Sequence, residues 1–434
     1  MLIHVVESGD TITSIANEYG ISPERIIIEN ELPNPEDLVV GQSIAIVIPD
    51  VVHTVVEGDT LYSIAEQYDV DPNQILQNNP VIAETEFLVP GQTLVISYRR
   101  DNLSAGEKLG SIIVNGYAYP FIDRTVLRKT LPYLTYLSLF TYGFTPAGDL
   151  VPIDDAELIE LAKSYGVQPI MVLAPMDEEM AFSNEIAHQM FINPEGQARL
   201  IDNILATIQE KGYAGIDIDF EFVLPEDRQN FATFIQNVKN KLEPAGFIVM
   251  VALAPKTSGE MAGVLYEAHD YPVIGGIADL VLLMTYEWGY TYGPPMATAP
   301  LNNVRRVLEY GVSVINPDII LMGIPNYAYD WPLPFVRGET AAESISNQEA
   351  IERAALHNVI IEFDEPAQAP FYRYTNDAGV EHVVWFDDAR SMNAKVRLIN
   401  ELGLTGMGVW QIMNFFPQMW IVIRELYNIE KVPE

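Results

Sequence analysis

Eight short apolar segments alternate with amphipathic helical patterns between residues 100 and 434, and this alternation limits the possible folds more than any other feature. The apolar segments occupy 111–115, 136–141, 168–173, 215–221, 248–254, 280–286, 319–324 and 407–412. Helical patterns lie between most of them, for example at 154–165, 195–211, 226–241 and 393–402. Continuous apolar strands separated by helices indicate a parallel sheet covered by helices. The count of eight predicts an α/β fold of the (β/α)8 TIM-barrel type. A doubly wound open sheet is the alternative, and the lack of a Gly-rich nucleotide turn after the first segment disfavours it.

The interval between the seventh and eighth segments is long, from Asn326 to Gly406. It contains strand-like stretches at 371–374 and 382–385 around the turn at 376–379. We therefore predict a small α+β insertion at about 331–390. Because it follows a strand's carboxyl end, it should cover the C-terminal mouth of the barrel, where barrel enzymes bind their substrates.

Charge and composition exclude several partners. The chain has 24 Lys and Arg against 60 Asp and Glu, a net charge of −36, which repels phosphate backbones and anionic lipid. Cysteine is absent, which removes disulfides and thiolate metal sites. The N-terminus MLIHVVESGD has no basic region followed by an apolar core, and no apolar run approaches the roughly 20 residues of a membrane helix. We predict no nucleic acid partner, no membrane insertion and no signal peptide.

The first hundred residues contain a duplication with an offset of 49 or 50 residues. Each copy has an apolar strand, a tight turn, two short helices and a closing strand. We place the copies at 1–49 and 50–99, and we expect Asp10 and Asp59 to be helix N-caps. The turn residues that match are Gly9, Asp10 and Thr11 in the first copy and Gly58, Asp59 and Thr60 in the second.

This βααβ repeat, with V-x-x-G-D-T-[IL]-x-S-I-A and a terminal [VL]-x-x-G-Q, resembles the LysM module. That resemblance implies binding of glycans that contain N-acetylglucosamine, such as peptidoglycan and chitin. In LysM modules the sugar lies between two loops, which correspond here to 9–12 with 35–40 and to 58–61 with 83–88. The turn residues of both copies, together with Leu61, are the candidate glycan contacts. A structural spacer without sugar binding is the alternative.

The fourth apolar segment of the barrel region reads Gly-Ile-Asp-Ile-Asp-Phe-Glu. Because alternate side chains of a strand share a face, Asp217, Asp219 and Glu221 should all point into the barrel. Like charges in a poorly solvated interior have raised pKa values and cost stability. Neighbouring segments supply almost no Lys or Arg to neutralise them. A perturbed carboxylate cluster at the end of a barrel strand therefore predicts a catalytic site.

The spacing of the carboxylates narrows the mechanism. Asp219 and Glu221 should lie about 6.6 Å apart along one strand, at roughly 3.3 Å per residue. Two such acids approach a sugar from similar directions, so they are badly placed to attack and to protonate opposite sides of one carbon. We predict Glu221 as general acid and a 2-acetamido group of the substrate as nucleophile, oriented by Asp219.

The acidic segment resembles the D-G-x-D-x-D-x-E signature of glycoside hydrolase family 18, with Ala214 in place of the first Asp. The family's M-x-Y-D strand corresponds to Met284-Thr285-Tyr286-Glu287, with Glu for Asp. The resemblance implies that Tyr286 holds the acetamido group and that Trp410 forms the floor of the sugar site, although core packing is the alternative for Trp410. The remaining substrate-binding candidates are Met284, Glu287, Gln411, Tyr142 and Asn326.

Two LysM-like units before such a barrel resemble the spore cortex-fragment-lytic enzymes of endospore-forming bacteria. The resemblance implies an N-acetylglucosaminidase that acts on cortex peptidoglycan in the coat–cortex region of the spore. The six histidines show no metal-ligand spacing, and no phosphate loop or G-x-S-x-G turn exists, so we predict neither metal nor cofactor. We expect a monomer. The alternative function is a binding or spore structural protein with an inactive site.

Overall fold

The computed structural model describes residues 1–82, 88–99, 108–177 and 181–432. Each N-terminal repeat forms an antiparallel strand pair that holds two short helices. The first repeat contains β1 (Leu2–Val5), α1 (Ile12–Tyr19), α2 (Pro23–Asn30) and β2 (Ser43–Ile46). The second contains β3 (Pro49–Thr54), α3 (Leu61–Tyr68), α4 (Pro72–Asn78) and β4 (Thr93–Tyr98). The predicted sugar loop at 83–88 lies outside the described residues except for Leu88.

The prediction that Asp10 and Asp59 are N-caps is wrong. Thr11 caps α1 and Thr60 caps α3, each through a reciprocal pair of hydrogen bonds with the serine three residues later. Asp10 instead closes the preceding turn, because its Oδ2 accepts a hydrogen bond of 2.7 Å from the amide of Glu7. Asp59 does the same for Val56, at 2.8 Å. In each repeat the aspartate therefore stabilises the turn, and the threonine caps the helix.

Residues 110–429 form a closed eight-stranded parallel barrel, as predicted. Its strands are β5 (Gly110–Ala118), β6 (Tyr136–Phe144), β8 (Gln168–Leu173), β9 (Gly215–Ile218), β10 (Ile248–Leu253), β11 (Leu280–Leu283), β12 (Ile320–Pro325) and β18 (Gly406–Trp410). Pairing of β5 with β6 closes the ring. Two short strands lie outside this ring, β7 (Leu150–Val151) antiparallel to β6 and β19 (Tyr427–Ile429) parallel to β5.

Amphipathic helices surround the barrel and bury their apolar faces against the strands. They are α5 (Arg124–Thr130), α6 (Ala156–Ser164), α7 (Asn184–Phe191), α8 (Pro194–Lys211), α9 (Arg228–Leu242), α10 (Tyr271–Gly275), α11 (Leu301–Val314), α13 (Ala389–Leu402) and α14 (Pro417–Leu426). No helix within the described ranges has the length and apolarity to cross a bilayer.

The insertion between β12 and β18 forms a five-stranded antiparallel sheet with one helix packed on it. Its elements are β13 (Ala328–Pro332), β14 (Glu343–Ile345), α12 (Asn347–Leu356), β15 (Glu362–Asp364), β16 (Ala369–Thr375) and β17 (Glu381–Trp385). The sheet begins directly beyond the carboxyl end of β12, so its first residues reach the mouth of the barrel.

The repeats are docked on the barrel through buried polar contacts. Arg424 of α14 pairs with Glu29 of the first repeat at 3.0 Å, and both side chains are almost fully buried. The same guanidinium stacks on Tyr98 of the second repeat, 4.4 Å from its ring centre. Gln418 donates a hydrogen bond of 2.7 Å to the carbonyl of Ser43. One arginine therefore ties both repeats to the barrel.

Candidate active site

Three carboxylates lie at the carboxyl end of β9, inside the barrel. Asp217 belongs to the strand and is fully buried, and Asp219 is 6% exposed. The strand ends at Ile218, three residues earlier than predicted, although the amide of Asp219 still donates to the carbonyl of Leu173 at 3.0 Å. Glu221 follows in the loop and is partly exposed. The chain thus leaves β9 before Glu221, which lies at the mouth of the barrel.

Asp219 and Glu221 open into one cavity of about 660 Å³ at the mouth of the barrel. Aromatic rings and aliphatic side chains form most of its wall, as is usual for small-molecule sites. Among the predicted site residues, those that line it are Asp219, Glu221, Met284, Tyr286, Glu287 and Trp410.

Asp217 lies below the cavity and supports it. The hydroxyl of Tyr117 donates a hydrogen bond of 2.5 Å to its Oδ2, while its Oδ1 is buried and has no partner among the described residues. Burial raises the pKa of Asp217 to about 6, although the hydrogen bond from Tyr117 acts in the opposite direction. This carboxyl can therefore keep or lose a proton near neutral pH.

The pKa values of the two upper acids are also raised. Burial holds the pKa of Asp219 well above its usual range, and the neighbouring charges of Glu221 and Asp217 add to the effect. Burial, with a smaller contribution from the charge of Glu287, raises the pKa of Glu221 to about 7. Glu221 can therefore carry a proton at neutral pH, which a general acid requires.

Glu287 is held at the rim by the insertion. Its Oε1 accepts hydrogen bonds from the hydroxyls of Tyr327 at 2.9 Å and Tyr329 at 3.1 Å. The backbone of Glu287 is left-handed, with φ of 65°, and this conformation directs the chain away from β11. The insertion thus fixes a negative charge near Glu221.

Tyr286 and Trp410 form two further walls. Tyr286 is 8% exposed and packs so tightly on Gly323 that a Cβ at that glycine would lie 2.7 Å from its ring. Trp410 ends β18 and packs edge-on against Phe140, with ring centres 4.9 Å apart. Its partly exposed face lies on the cavity, which suits a platform for a sugar ring.

Three predicted substrate contacts lie elsewhere. Tyr142 is buried against the helices, where Lys211 donates to its hydroxyl at 2.7 Å. A register irregularity in β6 between Leu139 and Tyr142 turns this side chain away from the interior. Gln411 folds back to accept a hydrogen bond from the amide of Met413, and Asn326 donates to the carbonyl of Gln411. These two amides brace the loop after β18 and do not line the cavity.

One of the six histidines, none of which had a sequence feature that singled it out, contacts the acidic segment. His269 is fully buried, accepts a hydrogen bond from the amide of Ala254 at 2.9 Å, and meets the carbonyl of Phe220 at 3.1 Å through its other nitrogen. Burial lowers its pKa to about 4, so it is neutral at physiological pH. It anchors the backbone between Asp219 and Glu221. No spacing in the sequence could have revealed this contact, and the same holds for Tyr117, Tyr327 and Tyr329.

Comparison with known proteins agrees with this geometry. The sequence profile of the glycosyl hydrolases family 18 matches residues 178–414. This chain belongs to glycosyl hydrolase family 18. The LysM domain profile matches 4–47 and 53–97, which confirms the resemblance of both repeats. The family 18 barrel identifies the chain as a glycoside hydrolase.

Several known proteins are similar to this chain over its full length, repeats and barrel together. The cortical fragment-lytic enzyme of Bacillus subtilis (strain 168) is 39% identical over 99% of both chains. The crystal structure of the Bacillus megaterium QM B1551 spore cortex-lytic enzyme SleL superposes with a TM-score of 0.83 at 39% identity, again over 99% of both chains. The Bacillus cereus SleL structure gives 0.83 at 35% identity, over 99% of this chain and 98% of that one. The resemblance to cortex-fragment-lytic enzymes is thereby confirmed.

Proposed function

We propose that this family 18 hydrolase is an N-acetylglucosaminidase of spore cortex peptidoglycan, which cleaves the β-1,4 bond after N-acetylglucosamine with retention. The observation that carries this proposal is the state of Asp219. Its Oδ1 is buried beside the cavity and has no partner among the described residues. A buried carboxyl oxygen without a partner costs stability, and the N–H of a substrate acetamido group would satisfy it.

Glu221 acts as the general acid. With a pKa of about 7, it carries a proton in much of the population at neutral pH and donates it to the glycosidic oxygen as the bond to the anomeric carbon breaks. The leaving sugar departs as a neutral alcohol. Glu221, now ionised, can accept a proton from the water that attacks in the second step.

The acetamido group of the substrate supplies the nucleophile. Its carbonyl oxygen attacks the anomeric carbon from the face opposite the leaving group and forms a cyclic oxazolinium intermediate. Asp219 accepts the amide N–H, and the developing positive charge favours its ionised form, which stabilises the intermediate. The hydroxyl of Tyr286 donates to the amide oxygen. Water then opens the ring, and two inversions at one carbon give net retention.

The charge of the cavity favours N-acetylglucosamine over N-acetylmuramic acid at this position. A muramic residue with a free lactyl arm would bring another carboxylate next to Asp219, Glu221 and Glu287, and like charges repel strongly where water is scarce. Muramic lactam has lost its acetyl group, so it cannot provide the internal nucleophile. The sugar over Trp410 is therefore N-acetylglucosamine.

The LysM repeats hold the enzyme on the cortex, and the enzyme works as a monomer in the coat–cortex region of the spore. The relatives named as cortical fragment-lytic enzymes, which share both repeats and barrel, support this substrate and location.

Digestion of purified spore cortex tests the bond that is cut. The products are reduced with borohydride, hydrolysed and analysed for amino sugars, while mass spectrometry of the muropeptides records fragment size. Glucosaminitol as the new reducing end is expected. Muramitol as the new reducing end would contradict the proposal.

A further inference from the structure

The two repeats differ in what their matching residues contact. Val39 and Val89 occupy equivalent positions before the G-Q exit, yet Val39 is 5% exposed and Val89 is 56% exposed. Val39 belongs to the apolar core of the insertion, together with residues such as Ala350 and Tyr372. The first repeat thus contributes part of its own second loop to the core of another unit.

Backbone contacts strengthen this difference. The amide of Ile361 donates to the carbonyl of Val40 at 2.9 Å. A Cβ on Gly41 would lie 1.9 Å from the carbonyl oxygen of Ile361, whereas a Cβ on the equivalent Gly91 would meet nothing within 4 Å. Between this loop and α12 only about 10 Å³ of space remains, about enough for one water molecule. A sugar cannot enter the first repeat along this loop.

The second repeat has an open groove instead. A cavity of about 950 Å³ lies between its first loop and the barrel. Its wall on the repeat side includes Thr60, Leu61 and Tyr62, and its wall on the barrel side includes Leu161, Tyr165 and Lys431.

The groove has the chemistry of a sugar site. Tyr62 is 74% exposed, so its ring is accessible from solvent at the groove. Tyr165 lines the opposite wall, so an aromatic ring borders the groove on each side, and such rings pack on the apolar faces of sugar rings. The volume lies in the range of ligand pockets, about 300–1,000 Å³.

We infer that the two repeats have divided their roles: the first is a docking module, and the second binds an N-acetylated glycan in a groove whose far wall is the barrel itself. This inference rests on the proposed targeting role of the repeats. The composite groove lies at the end where barrel strands begin, since Tyr165 directly follows α6 and precedes the start of β8. It is therefore opposite the catalytic mouth, so the enzyme holds one stretch of glycan and cuts another.

Co-sedimentation with insoluble spore peptidoglycan tests the inference in the full-length protein. Tyr62→Ala and Tyr165→Ala should each raise the dissociation constant roughly three- to tenfold, the loss expected for one aromatic contact. Thr13→Ala, at the equivalent of Tyr62 in the first repeat, is the matched control and should pellet like the wild type. All three variants should cleave soluble cortex fragments at the wild-type rate, because the changes lie far from Glu221. Their thermal midpoints confirm folding.

The possible failures are distinguishable. Wild-type protein that stays in the supernatant would contradict the proposed targeting itself. If the wild type pellets, and Thr13→Ala weakens this pelleting while Tyr62→Ala does not, the proposed division of roles between the repeats is wrong. If Tyr62→Ala weakens pelleting and Tyr165→Ala leaves it unchanged, the barrel does not form the far wall of the glycan site.

Discussion

Replacement of Glu221 by glutamine should abolish hydrolysis and stabilise the fold above neutral pH. In the folded state the pKa of this carboxyl is raised from 4.5 to about 7, mainly by burial. Between these two pH values the folded protein binds more protons than the unfolded chain does, so the free energy of unfolding falls as the pH rises through this window. Glutamine is nearly isosteric and does not ionise, so the free energy of unfolding of the variant does not fall in this way as the pH rises.

The magnitude follows from the shift. At about 1.4 kcal/mol per pKa unit, ionised Glu221 costs the folded state on the order of 3 kcal/mol at pH values above about 7. Glu221→Gln should therefore match the wild type in stability near pH 4 and exceed it by up to about 3 kcal/mol near pH 8. Its kcat should fall about 10²–10⁴-fold, the usual loss for a general acid.

Urea unfolding of both proteins across this pH range measures the first effect, and hydrolysis of soluble cortex fragments measures the second. Glu210→Gln, a change of an exposed glutamate on α8, is the control and should show neither. A stability difference between Glu221→Gln and the wild type that does not vary with pH would refute the raised pKa. Near-normal turnover by the folded variant would refute the role of Glu221.

Three other changes probe the surroundings of this acid and the docking of the repeats. Glu287→Gln removes a charge that raises the pKa of Glu221, so the alkaline fall of kcat should move to lower pH; a profile identical to the wild type would contradict this coupling. Tyr286→Phe should lower kcat about 10²-fold on soluble fragments with little change in KM, because it removes the hydrogen bond that orients the amide oxygen for attack on the anomeric carbon; a change confined to KM would indicate a role in binding alone. Arg424→Met removes one buried cation from Glu29, which keeps Arg25 and Tyr98 as partners, and should destabilise the fold by about 1.5–3 kcal/mol in thermal unfolding; an unchanged midpoint would show that the pair does not hold the repeats.

Long-range patterns in the sequence predicted the barrel well. Strands such as β8 and β10 are continuous apolar runs because both faces of a parallel barrel strand are buried, and the structure begins them at Gln168 and Ile248 as predicted. The acids of β9 also stood out, because three carboxylates on alternate positions cannot be explained by packing.

Local irregularities limited the prediction of the site. Tyr142 was a predicted substrate contact, but β6 has a register irregularity between Leu139 and Tyr142, and the side chain contacts Lys211 instead. Gln411 and Asn326 follow strands in sequence, yet their amides serve backbone groups of the loop after β18. Such contacts depend on where a strand stops, which periodicity does not determine.

Contacts between distant segments were beyond reach for a different reason. The hydrogen bonds from Tyr327 and Tyr329 to Glu287 join residues about 40 positions apart. The unequal burial of Val39 and Val89 arises from an insertion some 300 residues further along the chain. The sequence repeat predicts that the two N-terminal modules share a fold. It does not predict which other parts of the protein each module contacts.

The nucleophile is the central claim, and substrates with fluorinated acetyl groups test it most directly. In aryl glycosides of N-acetylglucosamine oligosaccharides, each fluorine on the acetyl group of the reacting sugar withdraws electrons from the carbonyl oxygen and weakens its attack on the anomeric carbon. If this oxygen is the nucleophile, kcat falls steeply and in order from acetyl through monofluoro- and difluoro- to trifluoroacetyl substrates. A kcat that stays constant across the series while aryl release remains retaining would show that a protein group attacks instead, and would contradict the roles given to Asp219 and Tyr286.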